Sequence, residues 1–513
     1  MNGAEALVKT LLASGVDTCF ANPGTSEMHF VAALDKIEGM RCVLGLFEGV
    51  ATGAADGYAR MTDKPAGVLL HCGPGLGNGI ANLHNAKRAE TPVVNIVGDH
   101  ATYHGPLDPP LASDVEGLAR PVSCWVKTST QALSVGQDAA EAVEASLSGR
   151  GVATLVLPSD VCWDEGGVVA SQVPLAPPLT ATDDAVAEAA HMLRSGKRGA
   201  ILAGGLGLRE GPLRVLAAIA AETGVPFMAP NANGRIERGA SRPPVMRLPY
   251  FVEDCQRMLE GVEYLILVGV KSPVSFFAYP GKPSSPTPEG AVVHQLVAPT
   301  GDVVDALDRL ADVLGCKGRQ VEAKPADLPP VASGVITSSS FAQSLAALLP
   351  ENAIVVDEGN TFGVHCYSAT QDARPHDWLQ LTGGAIGIGI PLATGAAIGA
   401  PGRRVVALQA DGSAAYTVQG LWTQARERLD VTTIIFSNRR YQILLLELAN
   451  VGATPGHTAN QMMSLDDPAM DWVQIGQGFG VKSARAETME ELNALMADSF
   501  THKGPFLIEA VIP

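Results

Sequence analysis

Short apolar runs recur along the chain, and many of them end at a polar residue or a glycine-rich turn. In the clearest pair, residues 405–408 are apolar and lead to Asp411, and residues 431–436 are apolar and lead to Asn438. A helical pattern separates these two runs. This order predicts two parallel strands joined by a crossover helix. Asp411 and Asn438 then follow the carboxyl ends of strands, where open parallel sheets bind their ligands.

The same alternation of apolar runs and helical segments divides the chain into three units. They cover residues 1–165, 183–318 and 335–513, and proline-rich linkers at residues 166–182 and 324–334 separate them. A length of 513 residues suits about three domains. We therefore predict an α/β protein with three doubly wound parallel-sheet domains.

Composition excludes several classes of protein. The net charge is −17 and no cluster of Lys or Arg forms a basic stripe, so we expect no nucleic-acid partner. The first 20 residues contain Glu5, Lys9 and Asp17, which does not suit a secretory signal, and no apolar stretch is long enough to cross a bilayer. The eight Cys residues have no C-x-x-C spacing and are typical of reduced thiols. We expect a cytoplasmic protein with no membrane partner.

Asp411 and Asn438 supply the oxygen atoms that Mg²⁺ prefers, a carboxylate and an amide carbonyl. Gly412 and Ser413 allow a tight turn, so that N–H groups at the start of the helix can face a phosphate. The alternative is an ordinary strand–helix turn in which Asp411 only caps the helix.

This stretch resembles the diphosphate and metal motif of thiamin-diphosphate-dependent enzymes, usually written G-D-G … N-N. Ala410 and Ser437 depart from that motif, but neither removes an expected ligand. The resemblance extends over nearly the whole chain and implies a pyrimidine-binding, a middle and a diphosphate-binding domain. It also implies thiamin diphosphate as cofactor, with Mg²⁺ held by Asp411, Asn438 and the backbone carbonyl of Arg440.

Glu48 follows an apolar run and precedes a helix of almost only small residues. A carboxylate in such surroundings is poorly solvated, and its burial is costly unless a partner hydrogen-bonds it. The segment resembles the glutamate region of the same family, which implies that Glu48 bonds N1′ of the aminopyrimidine. The alternative is an ion pair between Glu48 and Arg60 on one helix face.

His71 and Thr25 are candidates for contact with the substrate. His71 ends an apolar strand before a glycine-rich turn, where it can transfer a proton near neutral pH or merely pack. Thr25 lies in the sequence N-P-G-T-S-E, where it can also cap a helix. Benzoylformate decarboxylases are similar at both positions, which implies a proton donor at His71 and a substrate-contacting hydroxyl at Thr25.

The glycine-rich residues 381–391 bring bare backbone close to a large neighbour. They resemble the family segment in which an apolar side chain, here Ile386, bends the cofactor into a V shape. The resemblance assigns these cofactor-binding residues: Pro23, Glu48, Gly384, Ile386, Gly387, Asp411, Gly412, Ser413, Asn438 and Tyr441.

The resemblance implies non-oxidative decarboxylation of a 2-oxo acid through an ylid and an enamine, as in benzoylformate decarboxylase. An acetolactate-synthase-like carboligase, an acyl-CoA or 2-hydroxyacyl lyase and an inactive regulatory member remain alternatives. It also implies a homodimer or homotetramer with its sites at the subunit interface. The glycines at residues 204, 205 and 207 leave open whether the middle domain binds FAD or ADP.

Overall fold

The structure is a computed structural model that describes residues 1–322 and 324–513. Its first part alternates short strands and helices, as the apolar runs predict. The strands are β1 (Thr18–Ala21), β2 (Arg41–Leu44), β3 (Ala66–Leu70), β4 (Val93–Asp99), β5 (Trp125–Thr128) and β6 (Val152–Pro158). The helices are α1 (Gly3–Ala13), α2 (Met28–Lys36), α3 (Glu48–Thr62), α4 (Cys72–Arg88), α5 (Val115–Ala119), α6 (Val135–Ser148) and α7 (Ser159–Trp163).

The middle part of the chain has shorter strands and four helices. Its strands are β7 (Gly199–Ala203), β8 (Phe227–Ala229), β9 (Ile236–Arg238), β10 (Met246–Arg247), β11 (Tyr264–Val268) and β12 (Val292–Val297). Its helices are α8 (Asp183–Arg194), α9 (Glu210–Thr223), α10 (Val252–Met258) and α11 (Val303–Leu314).

The last part contains the pair of strands with which the sequence analysis began. The strands are β13 (Ala353–Glu358), β14 (His376–Gln380), β15 (Val405–Ala410), β16 (Val431–Ser437), β17 (Lys482–Ala486) and β18 (Phe506–Val511). The helices are α12 (Ser338–Leu348), α13 (Cys366–Ala369), α14 (Gly389–Gly399), α15 (Asp411–Ala414), α16 (Gly420–Arg426), α17 (Gln442–Asn450), α18 (His457–Met463), α19 (Trp472–Gly478) and α20 (Met489–Thr501).

The strands form three sheets, with orders β2-β1-β3-β4-β6-β5, β10-β8-β7-β11-β12 and β17-β18-β16-β15-β13-β14-β9. Among the described residues, every strand pairing within these sheets is parallel except that of β14 with β9. The predicted fold class, three parallel-sheet α/β domains, is confirmed. The domain boundaries at residues 165, 183, 318 and 335 stay a prediction.

Strand β9 comes from the middle part of the chain but belongs to the third sheet. It pairs antiparallel with β14, with Arg238 opposite His376 and Ile236 opposite Trp378. Ile236 and Arg238 are fully buried there. The middle segment therefore supplies the edge of the sheet that carries Asp411.

Helices α3 and α14 join the first and third sheets through small residues. A Cβ atom on Gly57 would lie 2.1 Å from the carbonyl oxygen of Leu392, and one on Gly395 would lie 1.8 Å from that of Ala54. Only glycine permits so close an approach of two backbones. Among the described residues, no helix is long and apolar enough to cross a membrane.

Candidate active site

Glu48 is the first residue of helix α3. The sequence analysis predicted it at the end of a strand, but β2 ends at Leu44 and a short turn follows. At a helix start the carboxylate is favoured by the positive end of the helix dipole. Glu48 is only 8% exposed, and Asn78 Nδ2 donates to its Oε2 over 3.0 Å. A Cβ atom on Gly75 would lie 3.3 Å from its Oε1, so a glycine faces that oxygen.

Arg60 does not pair with Glu48. Its guanidinium binds the carboxylate of Asp56, with Nη2 2.6 Å from Oδ2, and both side chains are buried. It also donates to the carbonyl oxygen of Gln380 at the end of β14, over 2.7 Å. The alternative of a Glu48–Arg60 ion pair is therefore wrong, and Arg60 instead links α3 to the third sheet.

His71 lies between β3 and α4 and forms a pair with Glu27. Its Nδ1 is 2.9 Å from Oε2 of Glu27, a carboxylate that is only 2% exposed. Because a carboxylate only accepts, Nδ1 carries the proton of this bond. A Cβ atom on Gly24 would lie 2.1 Å from Cγ of the imidazole, so glycine is required where this turn meets the ring. His71 and Glu48 are neighbours, because both approach Gly75.

Ser26, rather than Thr25, is the hydroxyl beside His71. Ser26 Oγ is 3.1 Å from His71 Nδ1 and 3.2 Å from Cys72 Sγ, whereas Thr25 is exposed. Cys72 has a φ of 49°, an uncommon value for a residue with a side chain. Burial raises the pKa of its thiol to about 11.

Sequence reasoning missed Ser26, Glu27, Cys72 and Asn78. A signal was present for three of them: N-P-G-T-S-E follows one apolar run and H-C follows another. Strands β1 and β3 are parallel neighbours, so the residues after their carboxyl ends converge. Asn78 lies about two turns into α4, and its place at the end of the G-P-G-x-G-N segment did not predict a contact with Glu48.

The glycine-rich residues 383–389 form a bend before α14. Gly384 and Gly387 have φ values of 75° and 94°, which favour glycine. The first domain fixes this bend, because Asn85 Oδ1 accepts from the N–H groups of Gly383 and Ala385 over 3.1 and 3.3 Å. Ile386 is half-buried between the two glycines.

Glu358, at the end of β13, caps the start of α14. Its Oε1 accepts from the N–H of Gly387 and its Oε2 from that of Gly389, both over 2.7 Å. Burial raises the pKa of this carboxyl to about 7, although the N–H groups favour the charged form. The carboxyl therefore holds the glycine-rich bend and the helix in one arrangement.

Asp411 opens α15 directly after β15 and is 2% exposed. The N–H groups of Gly412 and Arg439 donate to its two oxygens over 2.8 and 2.6 Å. Burial raises the pKa of the carboxyl above its ordinary value. Asn438 Oδ1 accepts from the N–H of Arg440 over 3.1 Å, in a loop where Arg439 has a φ of 57°. The structure thus brings Asp411 and the loop from Asn438 to Arg440 together.

Of the other predicted cofactor residues, Tyr441 and Ser413 lie near Asp411, whereas Pro23 lies in the first domain. Tyr441 packs on the turn after β15, since a Cβ atom on Gly412 would lie 2.4 Å from its ring. Ser413 Oγ accepts from Asn360 Nδ2 over 2.9 Å. Thr417 Oγ1 donates to the carbonyl of Gly387 over 2.7 Å, which ties the segment after α15 to the glycine-rich bend. Pro23 is exposed beside Gly24 in the first domain.

An aromatic group from the middle segment borders the glycine-rich bend. A Cβ atom on Gly384 would lie 2.6 Å from the ring of Phe276, and the Tyr250 ring centroid is 5.2 Å from that of Phe276. The hydroxyls of Tyr250 and Tyr279 donate to the Glu447 carboxylate over 3.1 and 2.6 Å. Glu447 lies on α17, which follows the Asn438 loop.

The donor sets fit thiamin diphosphate and a divalent cation. Asp411 is a buried carboxylate whose recorded hydrogen-bond donors are backbone N–H groups, so a cation would offset its burial. Carboxylate, amide and carbonyl oxygens are the ligands of hard cations. Glu48 is a second buried carboxylate, and a glycine, Gly75, lies against its Oε1.

Two family models match the chain. The N-terminal TPP-binding domain of thiamine pyrophosphate enzymes matches residues 1–113, and the C-terminal TPP-binding domain matches residues 360–510. The chain belongs to the thiamine pyrophosphate enzyme family. The matched regions contain Glu48 and His71 in this thiamine pyrophosphate enzyme's first domain, and Asp411 and Asn438 in its third.

Relatives of this thiamine pyrophosphate enzyme include synthases and decarboxylases by name. A protein of Mycobacterium tuberculosis H37Rv with the provisional name acetolactate synthase large subunit IlvX is 52% identical over 100% of this chain and 99% of its own length. Benzoylformate decarboxylase of Pseudomonas aeruginosa PAO1 is 30% identical over 98% of both chains. The structure of the thiamine diphosphate-dependent 4-hydroxybenzoylformate decarboxylase of Rhodococcus jostii RHA1 is similar with a TM-score of 0.85, 25% identity and coverage of 100% and 99%.

Proposed function

We propose that this thiamine pyrophosphate enzyme uses Mg²⁺ and removes CO₂ from a 2-oxo acid to release an aldehyde. The observation that carries the proposal is the grouping of Glu48 and the His71–Glu27 pair around Gly75. It places a buried carboxylate and a group able to supply a proton on one edge of one sheet. The relatives named as benzoylformate decarboxylases support the same reaction class.

Cofactor binding is divided between two domains. Asp411, the side chain of Asn438 and the backbone carbonyl of Arg440 would hold Mg²⁺, and the N–H groups at the start of α15 would face the diphosphate. Gly384, Ile386 and Gly387 would support the middle of the cofactor. When bound, thiamin diphosphate supplies a nucleophilic carbon and an acceptor for the electron pair that CO₂ leaves behind.

Glu48 would hydrogen-bond the aminopyrimidine ring and hold a proton there. Because the side chain is buried, each of its oxygens needs a hydrogen-bond partner. Asn78 fixes one carboxylate oxygen, which leaves the other beside Gly75 to bind the ring.

His71 would donate the proton that replaces CO₂ on the reacting carbon. Glu27 orients the imidazole through its hydrogen bond with Nδ1. Thr25 offers an exposed hydroxyl one residue from Ser26, on the turn that packs against the His71 ring, and would contact the substrate.

The second candidate is carboligation, in which a second carbonyl compound takes the place of the proton. The relative that is 52% identical over the whole chain and carries an acetolactate synthase name favours it. Both reactions use the same Glu48, Asp411 and Asn438, so the proton donor distinguishes them.

We also propose that the active unit is a homodimer or a homotetramer, with each site built from the first domain of one chain and the third domain of another. Within one chain, Glu48 contacts Asn78 and Gly75 of the first domain, and Asp411 accepts from Gly412 and Arg439 of the third. Two chains related by a twofold axis would complete two such sites.

The test is to incubate the protein with thiamin diphosphate and Mg²⁺, and to offer benzoylformate and pyruvate separately. We expect CO₂ and one equivalent of aldehyde, and we expect His71→Ala to lose aldehyde release. Acetolactate from pyruvate would instead establish carboligation. Consumption of neither acid by cofactor-loaded protein would contradict both candidates.

A further inference from the structure

Three metal-ligating side chains converge in the first domain, far along the chain from the Asp411 loop. They are Glu27, from the turn after β1, and His71 and Cys72, from the turn after β3. One ligand atom from each lies within 4.8 Å of the other two. Glu27 and Cys72 are buried and His71 is partly buried, so this is not a solvated surface group.

The separations between these atoms suit a tetrahedral metal ion. Zinc binds N and O ligands at about 2.0 Å and S ligands at about 2.3 Å. In a tetrahedral site, N and O ligands therefore lie about 3.3 Å apart, and N and S ligands about 3.5 Å apart. His71 Nδ1 is 2.9 Å from Glu27 Oε2 and 3.8 Å from Cys72 Sγ. For these two pairs, shifts of about 0.4 Å or less, within the reach of side-chain rotation, would reach the tetrahedral values. The ligand atoms of Glu27 and Cys72 lie within 4.8 Å of each other.

The chemistry of the group favours zinc over magnesium. Imidazole, thiolate and carboxylate together form a typical zinc ligand set, whereas Mg²⁺ takes oxygen ligands, as at Asp411. The carboxylate and the thiolate would balance the two charges of the ion. The hydrogen bond between His71 Nδ1 and Glu27 Oε2 puts a proton between these atoms, where the metal ion would lie.

The surroundings already orient the ligands. The N–H of Gly24 donates to Glu27 Oε2 over 2.8 Å, and Ser26 Oγ lies 3.2 Å from Cys72 Sγ and 3.1 Å from His71 Nδ1. Such outer partners hold ligands in place at metal sites. Ser26 Oγ or a water molecule can fill the fourth position.

We propose that Glu27, His71 and Cys72 bind Zn²⁺, and that zinc bound there inhibits the protein reversibly. The metal takes Nδ1 of His71, which fixes the imidazole and removes its hydrogen bond to Glu27. The inhibition rests on the proposed function of His71, whereas the metal site itself does not.

Cobalt(II) tests the site without any activity measurement. The full-length protein, loaded with thiamin diphosphate and Mg²⁺ and kept in a phosphine reductant, is titrated with Co²⁺ and its absorption spectrum is recorded. We expect a thiolate-to-cobalt charge-transfer band that saturates at one equivalent, and we expect Cys72→Ser to abolish it. Cys42→Ser changes an exposed thiol outside the group, and His104→Gln changes a histidine that packs on His100, also outside it, so both should keep the band.

Zinc affinity is then measured by competition with a chelator. We expect Cys72→Ser to weaken binding by more than about 100-fold, since the loss of an outer partner alone costs about 10- to 100-fold. Cys72→Ala is the second variant if the serine protein is poorly folded. Absence of the band in the unaltered protein, its survival in Cys72→Ser, or its loss in either control would overturn the proposal.

The inhibition is read as the fraction of each protein's own turnover that Zn²⁺ removes and a chelator restores. We expect nearly complete inhibition of the unaltered protein and little inhibition of Cys72→Ser. Equal zinc sensitivity in both proteins would overturn the inhibitory role. A Cys72-dependent cobalt band in a protein that consumes no 2-oxo acid would support the metal site and contradict only the proposed function.

Discussion

Two carboxylates, Glu48 and Asp411, are buried where the fold alone does not require them. Glu48 is 8% and Asp411 2% exposed, and the hydrogen-bond donors recorded for them are an amide side chain and backbone N–H groups. An ionised carboxylate is costly to bury without a cation or a proton to share. This burial supports our proposal that the cofactor and its metal ion supply the missing partners.

Glu48→Gln is expected to lower turnover of the 2-oxo acid by about 10²- to 10⁴-fold, the usual contribution of a positioned acid–base group. The amide keeps the size of the side chain but cannot share a proton in the same way. Turnover is measured with saturating cofactor, and circular dichroism checks the fold. Glu38→Gln, at an exposed position, is the matched control. Equal turnover in both variants would remove Glu48 from the mechanism.

Asp411→Ala is expected to abolish Mg²⁺-dependent retention of thiamin diphosphate, because it removes the only acidic ligand that we propose for Mg²⁺. Retention is measured as the cofactor that remains bound after gel filtration with and without Mg²⁺. Asp35→Ala, at an exposed position, should retain the cofactor as the unaltered protein does. Normal retention by Asp411→Ala would show that the metal binds elsewhere.

At the scale of single residues, the sequence analysis could identify polar residues in otherwise apolar surroundings. Glu48, Asp411 and Asn438 are polar groups beside apolar runs, and the structure places them at the start of a helix or the end of a strand. Ser26 and Cys72 escaped notice because only the parallel pairing of β1 and β3 brings them together. Residue type alone carries no information on such a contact.

Among the elements, helix α14 and the bend before it depend on one side chain from another element. Glu358 on β13 accepts from the N–H groups of Gly387 and Gly389. These groups start a helix and would lack intrahelical partners. A carboxylate is a good acceptor for these N–H groups. Burial disfavours its charged form, however, and raises the pKa of Glu358 to about 7.

The pKa of Glu358 predicts a pH dependence of stability. Between the ordinary value of 4.5 and the folded value of about 7, the folded chain keeps a proton that the unfolded chain has released. The contribution of Glu358 to the free energy of unfolding is therefore fully present below pH 4.5 and is lost as the pH rises through 7. At about 1.4 kcal/mol per pKa unit, the loss is on the order of 3 kcal/mol.

Thermal midpoints of the cofactor-free protein at pH 4.5 to 8 test this dependence. The amide side chain of Glu358→Gln does not titrate. The thermal midpoint of this variant should therefore fall less, as the pH rises, than that of the unaltered protein. Glu351→Gln, at an exposed position in the turn before β13, should follow the unaltered protein. Parallel curves for Glu358→Gln and the unaltered protein would contradict a raised pKa at Glu358.

For the whole molecule, the central question is whether one chain or two complete a site. Within the chain, α3 packs on α14 and Arg60 reaches the carbonyl of Gln380, so the first and third domains form one rigid unit. We propose that the site forms between such units.

Mixing two inactive variants tests this proposal. Chains with Glu48→Gln and chains with Asp411→Ala are dissociated together and allowed to reassociate. Random pairing makes half of the dimers mixed, and each mixed dimer holds one site with both native residues, so about a quarter of the normal activity should return. The variants incubated without dissociation are the control. No recovery after verified exchange of subunits would place both residues of a site in one chain.

The chain's overall architecture followed from periodicity to a large extent. Apolar runs, proline-rich linkers and turn residues are local features, and they predicted three parallel-sheet domains. Strand β9 could not be predicted in this way, because its three residues resemble any short strand and its partner, β14, lies about 140 positions later in the chain. Long-range pairing depends on packing that no local pattern records.

Strand β9 also limits how this protein can be recombined with its relatives. A chimera that takes residues 183–318 from another protein would replace the neighbour of β14 together with the middle sheet. A poor match there would expose unpaired N–H and C=O groups along β14, a template for aggregation. Exchanges that retain native residues 236–238, or move them together with β14, should give soluble protein, whereas a simple excision of the middle segment should not.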